Sequence, residues 1–234
     1  MIRPTVIALF GAAVAACGVA TAPAQAMTFN LGSLSSTGGM FEHEGKKFSG
    51  FSCNIIFQSG PTSPGSCNDI EVVTIDKGIK FQGDFSVDGN GFIDTLVGYT
   101  VESLQGAIVD IGLGFDGEFT GDGEASVVEV VQDMNFTPIA NFTVSVDRFF
   151  QDTEDPLFEP ILQGDSPLQA PVMKAMITKD IFLNAFNGTT AITMISQTFE
   201  HEKVQSAPEP ATALALLGIG TLAAKALRRC KQKA

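Results

Sequence analysis

Asp84, Asp88, Asn90 and Asp94 crowd one short stretch around Gly89 and Gly91. Carboxylate and amide oxygens gathered at a glycine turn suit Ca2+, a hard ion that takes about six to eight oxygen ligands. The stretch departs from a helix-flanked calcium loop. Gly89 takes the sixth place counted from Asp84, but the twelfth is Thr95, where that loop needs a bidentate Glu. Asp88-Gly89-Asn90-Gly91 reads equally well as a hairpin turn. Asp116-Gly117-Glu118 and Asp122-Gly123-Glu124 are similar acidic turns. No other cofactor is expected.

Both histidines lie in a repeated tetrapeptide, Phe41-Glu42-His43-Glu44 and Phe199-Glu200-His201-Glu202. If the first and last strands pair, His43 and His201 approach with glutamates nearby and could hold Zn2+ or Cu2+. The competing reading is two hydrophilic strand ends, because Glu and His at adjacent strand positions point to opposite faces. Catalysis has little support. There is no His-Glu-x-x-His and no Gly-x-Ser-x-Gly. Asp152, Glu154 and Asp155 are acids in an acidic chain, so the expectation is that the protein is not an enzyme.

Cys53 and Cys67 flank Gly60-Pro61-Thr62-Ser63-Pro64-Gly65-Ser66, a segment able to turn back sharply. A Cys53–Cys67 disulfide is expected, suited to an oxidising compartment. Two cysteines supply too few ligands for a zinc site.

The elements that must position these groups are strands. Ile79, Phe81, Phe85 and Val87 alternate with Lys80, Gln82, Asp84 and Ser86, and Phe142, Val144 and Val146 alternate with Thr143, Ser145 and Asp147. Further β-branched or aromatic runs cover residues 47–57, 69–75, 92–104, 107–115, 125–131, 172–183 and 189–199. Helical periodicity is almost absent. The spacing predicts an all-β, antiparallel two-sheet sandwich, jelly-roll-like or immunoglobulin-like, with residues 151–171 as a proline-rich surface loop.

The two ends read differently. Arg3, an apolar run over residues 6–16 and Ala24-Gln25-Ala26 make a secretory signal peptide over residues 1–26, in which Cys17 also fits a lipoprotein signal. Residues 27–207 form the ectodomain, with eight Lys and Arg against 25 Asp and Glu, a formal charge of −17. That charge repels nucleic acid and anionic headgroups. Pro208, Glu209 and Pro210 then precede a helix at about residues 211–227, uncharged as far as Ala224 and with Lys225 able to snorkel to the interface, closed by Arg228 and Arg229 and further lysines. Such a helix crosses a membrane with its basic end cytoplasmic.

Pro-Glu-Pro, a short apolar helix and a basic end resemble the PEP-CTERM sorting signal of residues 208–234. The resemblance implies recognition by an exosortase-like membrane enzyme, processing near Pro208-Glu209-Pro210, and anchoring by the C-terminal helix before delivery to the cell surface or matrix. More loosely, Gly45-Lys46-Lys47-Phe48-Ser49-Gly50-Phe51, Val97-Gly98-Tyr99-Thr100-Val101, Thr178-Lys179-Asp180-Ile181, Thr190-Ala191 and Gln197-Thr198-Phe199 are similar to a group of uncharacterised cyanobacterial PEP-CTERM proteins. The expected function is a non-catalytic surface or matrix component associated with exopolysaccharide and other matrix proteins. The alternative is a module binding Ca2+, a transition metal or a glycan. Exposed Trp or Tyr platforms are not available for sugar stacking, because the chain has no Trp and one Tyr, and its 19 Phe are needed first for a core.

Overall fold

The computed structural model describes residues 26–147 and 162–202. The expected signal peptide with Cys17, residues 151–161, and the sorting tail from Pro208 onward lie outside the described residues. Among the described residues, no helix is long and apolar enough to cross a membrane.

The chain runs β1 (Thr28–Asn30), α1 (Leu31–Thr37), β2 (Phe41–His43), β3 (Lys46–Ser59), β4 (Thr62–Ser63), a 3-10 turn (Cys67–Asp69), β5 (Glu71–Ile75), β6 (Gly78–Gln82) and β7 (Phe85–Asp88). It continues with β8 (Gly91–Ser103), β9 (Ile108–Gln132), β10 (Pro138–Asp147), β11 (Leu162–Val172) and β12 (Lys174–His201). All pairings are antiparallel. The all-β sandwich expected from the two-residue period is what forms. Its two layers belong to one hydrogen-bonded sheet that curls onto itself.

The curl is made by β9 and β12, which pair along almost their whole length and pass through both layers. In the first layer, the leading half of β12 lies between β8 and the trailing half of β9. β3 and β2 extend this layer beyond β8, and β10 beyond β9. In the second layer, the trailing half of β12 lies between the leading half of β9 and the strands β6 and β7. β5 and β1 continue outward from β6, β4 from β7 and β11 from β9.

Glycines set the corner between the layers. Gly121 (φ +79°) stands opposite Gly188 (φ +111°), and a register shift between Ala185 and Asn187 adds a bulge. A Cβ on Gly121 would lie 1.6 Å from the Asn187 carbonyl oxygen, and one on Gly188 would lie 1.8 Å from that of Thr120. Only glycine permits this approach and these dihedrals together, and a bulge sharpens the local twist.

Two sequence expectations are corrected here. Asp116-Gly117-Glu118 and Asp122-Gly123-Glu124 are not turns but interior stretches of β9. Their glycines let the β12 backbone close in, with the missing Cβ of Gly117 placed 2.6 Å from the Ala191 oxygen. The runs at 107–115 and 125–131 are therefore one strand, as are those at 172–183 and 189–199. Within the expected 151–171 loop, residues 162–171 instead form most of β11. Among the described residues this strand pairs with β9.

The sequence also concealed α1. Asn30 caps it, accepting from the Ser33 amide at 2.8 Å, and Gly38 ends it with a left-handed φ of +64°. Leu31 and Leu34 are its buried anchors. Phenylalanine fills much of the core between the layers. Phe29, Phe41, Phe48 and Phe199 form a chain of ring contacts with centroids 4.3–5.9 Å apart, and Tyr99 packs against Phe48, Phe51 and Phe81.

Candidate functional site

Cys53 in β3 and Cys67 in the 3-10 turn are disulfide-bonded, with Cα atoms 6.0 Å apart, as their spacing predicts. The bridge closes the segment that carries β4 and, on a chain-entropy view, is worth about 3 kcal/mol.

The four residues of the expected calcium loop are spread across the fold. Asp84 precedes β7 and Asp88 ends it, a separation of about 13 Å along an extended strand. Gly89 and Asn90 form the turn into β8. That turn leaves the second layer for the first, because β7 pairs with the trailing half of β12 and β8 with the leading half. The Asp88 carboxylate accepts a hydrogen bond from Thr189 Oγ1 at 2.6 Å, and Asp94 lies well into β8 beside Asp180. The turn joins two strands that do not pair with each other, so the stretch is neither the expected hairpin nor one loop that gathers the four side chains.

The two Phe-Glu-His-Glu segments do come to one end of the sandwich, but lysines join them. Lys77 donates its backbone N–H to Glu44 Oε2 and its ammonium to Glu200 Oε1, both at 2.6 Å. His43 faces Lys46 across the β2–β3 ladder, and Lys46 faces Ser103 across β3–β8, which puts the His43 and Ser103 backbones about 10 Å apart. His43 Nε2 hydrogen-bonds with the Ile75 carbonyl at 2.9 Å, and His201 Nδ1 with Ser103 Oγ at 3.0 Å. Burial, followed by the nearby Lys46 charge, holds the His201 pKa below its usual value. Lys46 is itself buried, which pulls its own pKa down. The two imidazoles thus hydrogen-bond to different partners, Ile75 and Ser103, with the Lys46 charge near His201. Among the described residues, no group of three or more His, Cys, Asp or Glu is arranged to hold a metal.

The outward face of the first layer has a distinct composition. One row across the sheet reads Asn54, Leu96, Asp180, Val128 and Thr143. The next reads Phe57, Asp94, Phe182, Ser126 and Ser145. Phe57 is 63 % exposed, and Leu96, Val128 and the neighbouring Phe92 are also on the surface. The Asp94 and Asp180 carboxyls meet diagonally. Partial burial, the hydrogen bond between them and the Asp180 charge raise the Asp94 pKa.

A carboxyl raised on folding contributes stability below its ordinary value of 3.8 and loses that contribution as pH rises through the folded value. At neutral pH the ionised pair therefore opposes folding. Asp94→Asn is expected to raise Tm at pH 7 by a degree or two, about 0.5 kcal/mol after allowing for solvent screening, and to give no gain below pH 3.8. Thermal melts of both proteins across that range check the sign.

Between the layers lies a polar trio that the sequence reading missed. Lys179, Glu129 and Gln197 are each 0 % exposed. Lys179 stands opposite Glu129 in the β12–β9 ladder, and Gln197 comes from the trailing half of β12 in the other layer. Lys179 Nζ donates to Glu129 Oε2 and to Gln197 Oε1. Gln197 Nε2 donates to the Gly112 carbonyl at 2.9 Å. Burial pushes the Glu129 pKa up and the Lys179 pKa down, and each is opposed by the partner's charge. Buried Tyr99 is raised too, by burial and then by Glu129, and among the described residues its hydroxyl has no hydrogen-bond partner. The missed signal was period two. Ile177-x-Lys179-x-Ile181, Val127-x-Glu129-x-Val131 and Ile195-x-Gln197-x-Phe199 each put a polar residue on an inward face.

No curated protein matches the chain significantly. Among solved structures, the carbohydrate-binding module TmCBM61, in complex with β-1,4-galactotriose, is 11 % identical. That match covers 64 % of this chain and 88 % of the other, with a TM-score of 0.33. The module CBM6cm-2 from Cellvibrio mixtus lichenase 5A, in complex with cellotriose, is 10 % identical over 63 % and 91 % of the two chains, with a TM-score of 0.29. The family 11 module from Clostridium thermocellum is 13 % identical over 70 % and 90 %, with a TM-score of 0.23. A protein-family model, the PEP-CTERM protein-sorting motif, matches residues 206–229. The chain therefore carries a PEP-CTERM sorting motif, which implies export, membrane anchoring before processing, and handling by an exosortase-type enzyme.

Proposed function

We propose that this protein is a non-catalytic component of the cell surface or extracellular matrix, and that its sandwich holds neutral polysaccharide on the outward face of the first layer. Delivery rests on the sorting motif. The observation that supports binding is the pair of adjacent rows in which Phe57 and Leu96 flank the Asp94–Asp180 carboxyls, with Asn54 and Thr143 at the margins. Apolar rings and side chains cover the C–H faces of a sugar, while carboxyl and amide oxygens accept from its hydroxyls. The net charge of −12 disfavours anionic polymers.

The test is retention of the full exported chain on immobilised neutral exopolysaccharide, compared with a Phe57→Ala/Asp180→Asn variant. Wild-type retention should persist at high salt and fall about tenfold in the variant, roughly 1.4 kcal/mol. Equal retention of the two proteins, or binding to anionic polymer alone, contradicts the assignment of this face.

A further inference from the structure

Lys179, Glu129 and Gln197 bring an amine, a carboxyl and a carboxamide together in a space closed to water. Their connectivity is directional. The amine touches the carboxyl oxygen of Glu129 and the amide oxygen of Gln197, and is thereby adjacent to the amide carbon. The amide nitrogen donates to the Gly112 carbonyl at 2.9 Å and stays within the same cluster as the Glu129 carboxyl. An ion pair alone does not require the third member. Replacing a buried pair by apolar groups is often neutral or stabilising, so stability alone does not account for three polar groups at this point.

We propose that Lys179 and Gln197 join in an internal isopeptide bond, with Glu129 as the general acid and base. The Lys179 Nζ lone pair attacks Gln197 Cδ, forming the N–C bond. Glu129, protonated at the outset, gives its proton to Nε2 and takes one from Nζ in return. The Cδ–Nε2 bond breaks and ammonia leaves, so a primary amine and a primary amide become one secondary amide with no oxidant or reductant. The surroundings favour the reactive forms, because burial disfavours both the ammonium and the carboxylate. Exclusion of water also protects the product from hydrolysis.

The bond would clamp the corner of the sandwich. Lys179 and Gln197 are 18 positions apart in one strand, on either side of the bulge beyond Ala185. Joining them ties the first layer to the second across the core and prevents β12 from straightening.

The test is the intact mass of the full chain with its ends assigned, followed by peptide mapping after reduction. With the Cys53–Cys67 disulfide reduced, the expected intact mass is one ammonia below the sequence mass. The loss should map to a branched peptide containing Lys179 and Gln197, and a lysine-directed protease should leave Lys179 uncut. Glu129→Gln should restore the full mass while preserving side-chain shape. Gln197→Glu should lose water in place of ammonia at the same linkage. Full mass with Lys179 and Gln197 in separate linear peptides overturns the proposal, as does a water loss in wild type that joins Lys179 to Glu129. Ammonia loss mapped elsewhere in the chain, with residues 179 and 197 unlinked, overturns it equally.

Discussion

Lys179→Met lowers the stability of the folded protein by about 3–5 kcal/mol, the cost of leaving a buried polar partner uncompensated. Methionine fills much of the lysine stem's volume, so the loss is electrostatic more than steric. Glu129 is fully buried opposite position 179, and its pKa is already raised by that burial. Without the Lys179 nitrogen it is left a buried acid with no partner at Oε2, and Gln197 loses its contact, and any linkage, to Nζ. Lys179→Met/Glu129→Leu is expected to be more stable than Lys179→Met alone, because the second change removes the stranded acid. Chemical denaturation of the three proteins, read at constant m, checks both statements. If Lys179→Met melts with wild type, the trio is not a closed network.

The second large effect is at the corner. Gly121→Ala forces a Cβ to within 1.6 Å of the Asn187 carbonyl oxygen at a backbone φ of +79°. The clash is with backbone, so no side chain can rotate away. Left-handed strain and overpacking each cost about 1–3 kcal/mol, giving an expected loss of about 2–6 kcal/mol. Gly38→Ala is the control. It has a similar φ of +64°, but its added Cβ meets nothing within 4 Å. Its loss should stay near the strain contribution alone, so the difference between the two melts isolates the close approach of β9 and β12.

The alternation of Phe81, Phe85, Phe142, Val144 and their neighbours made the sandwich readable, because a half-buried strand writes its two faces directly into the sequence. The continuity of β9 and β12 was hidden. A glycine that lets another backbone approach looks the same in sequence as a glycine that turns the chain, so the acidic Gly117 and Gly123 segments read as loops. Residues 31–37 offered only Leu31 and Leu34 as anchors, too few to show a helical period.

The candidate sites divide on similar grounds. Cys53 and Cys67 were legible because spacing and turn residues between them were sufficient. The calcium and zinc expectations depended on where carboxylates and imidazoles point. There the turn between β7 and β8 carried Asp84 and Asp94 into different layers, while Lys77 bridged Glu44 and Glu200 of the two histidine segments. Lys179 and Gln197 lay within runs read as strands, 172–183 and 189–199, and in stretches quoted for their resemblance, but neither was marked as a site. The alternation around them placed both on the core side, but only the fold brings residues 179, 129 and 197 to one point.

The central claim is that the tail directs this β-sandwich to the cell surface through an exosortase-type enzyme. Its most direct test is the location and intact mass of the chain in a host with such a system, beside a variant with Pro208, Glu209 and Pro210 replaced by alanine. The account predicts that wild type reaches the surface or medium having lost its basic end, with Arg228 and Arg229, while the variant stays in the inner membrane at uncut mass. The same mass and location for both proteins would contradict it.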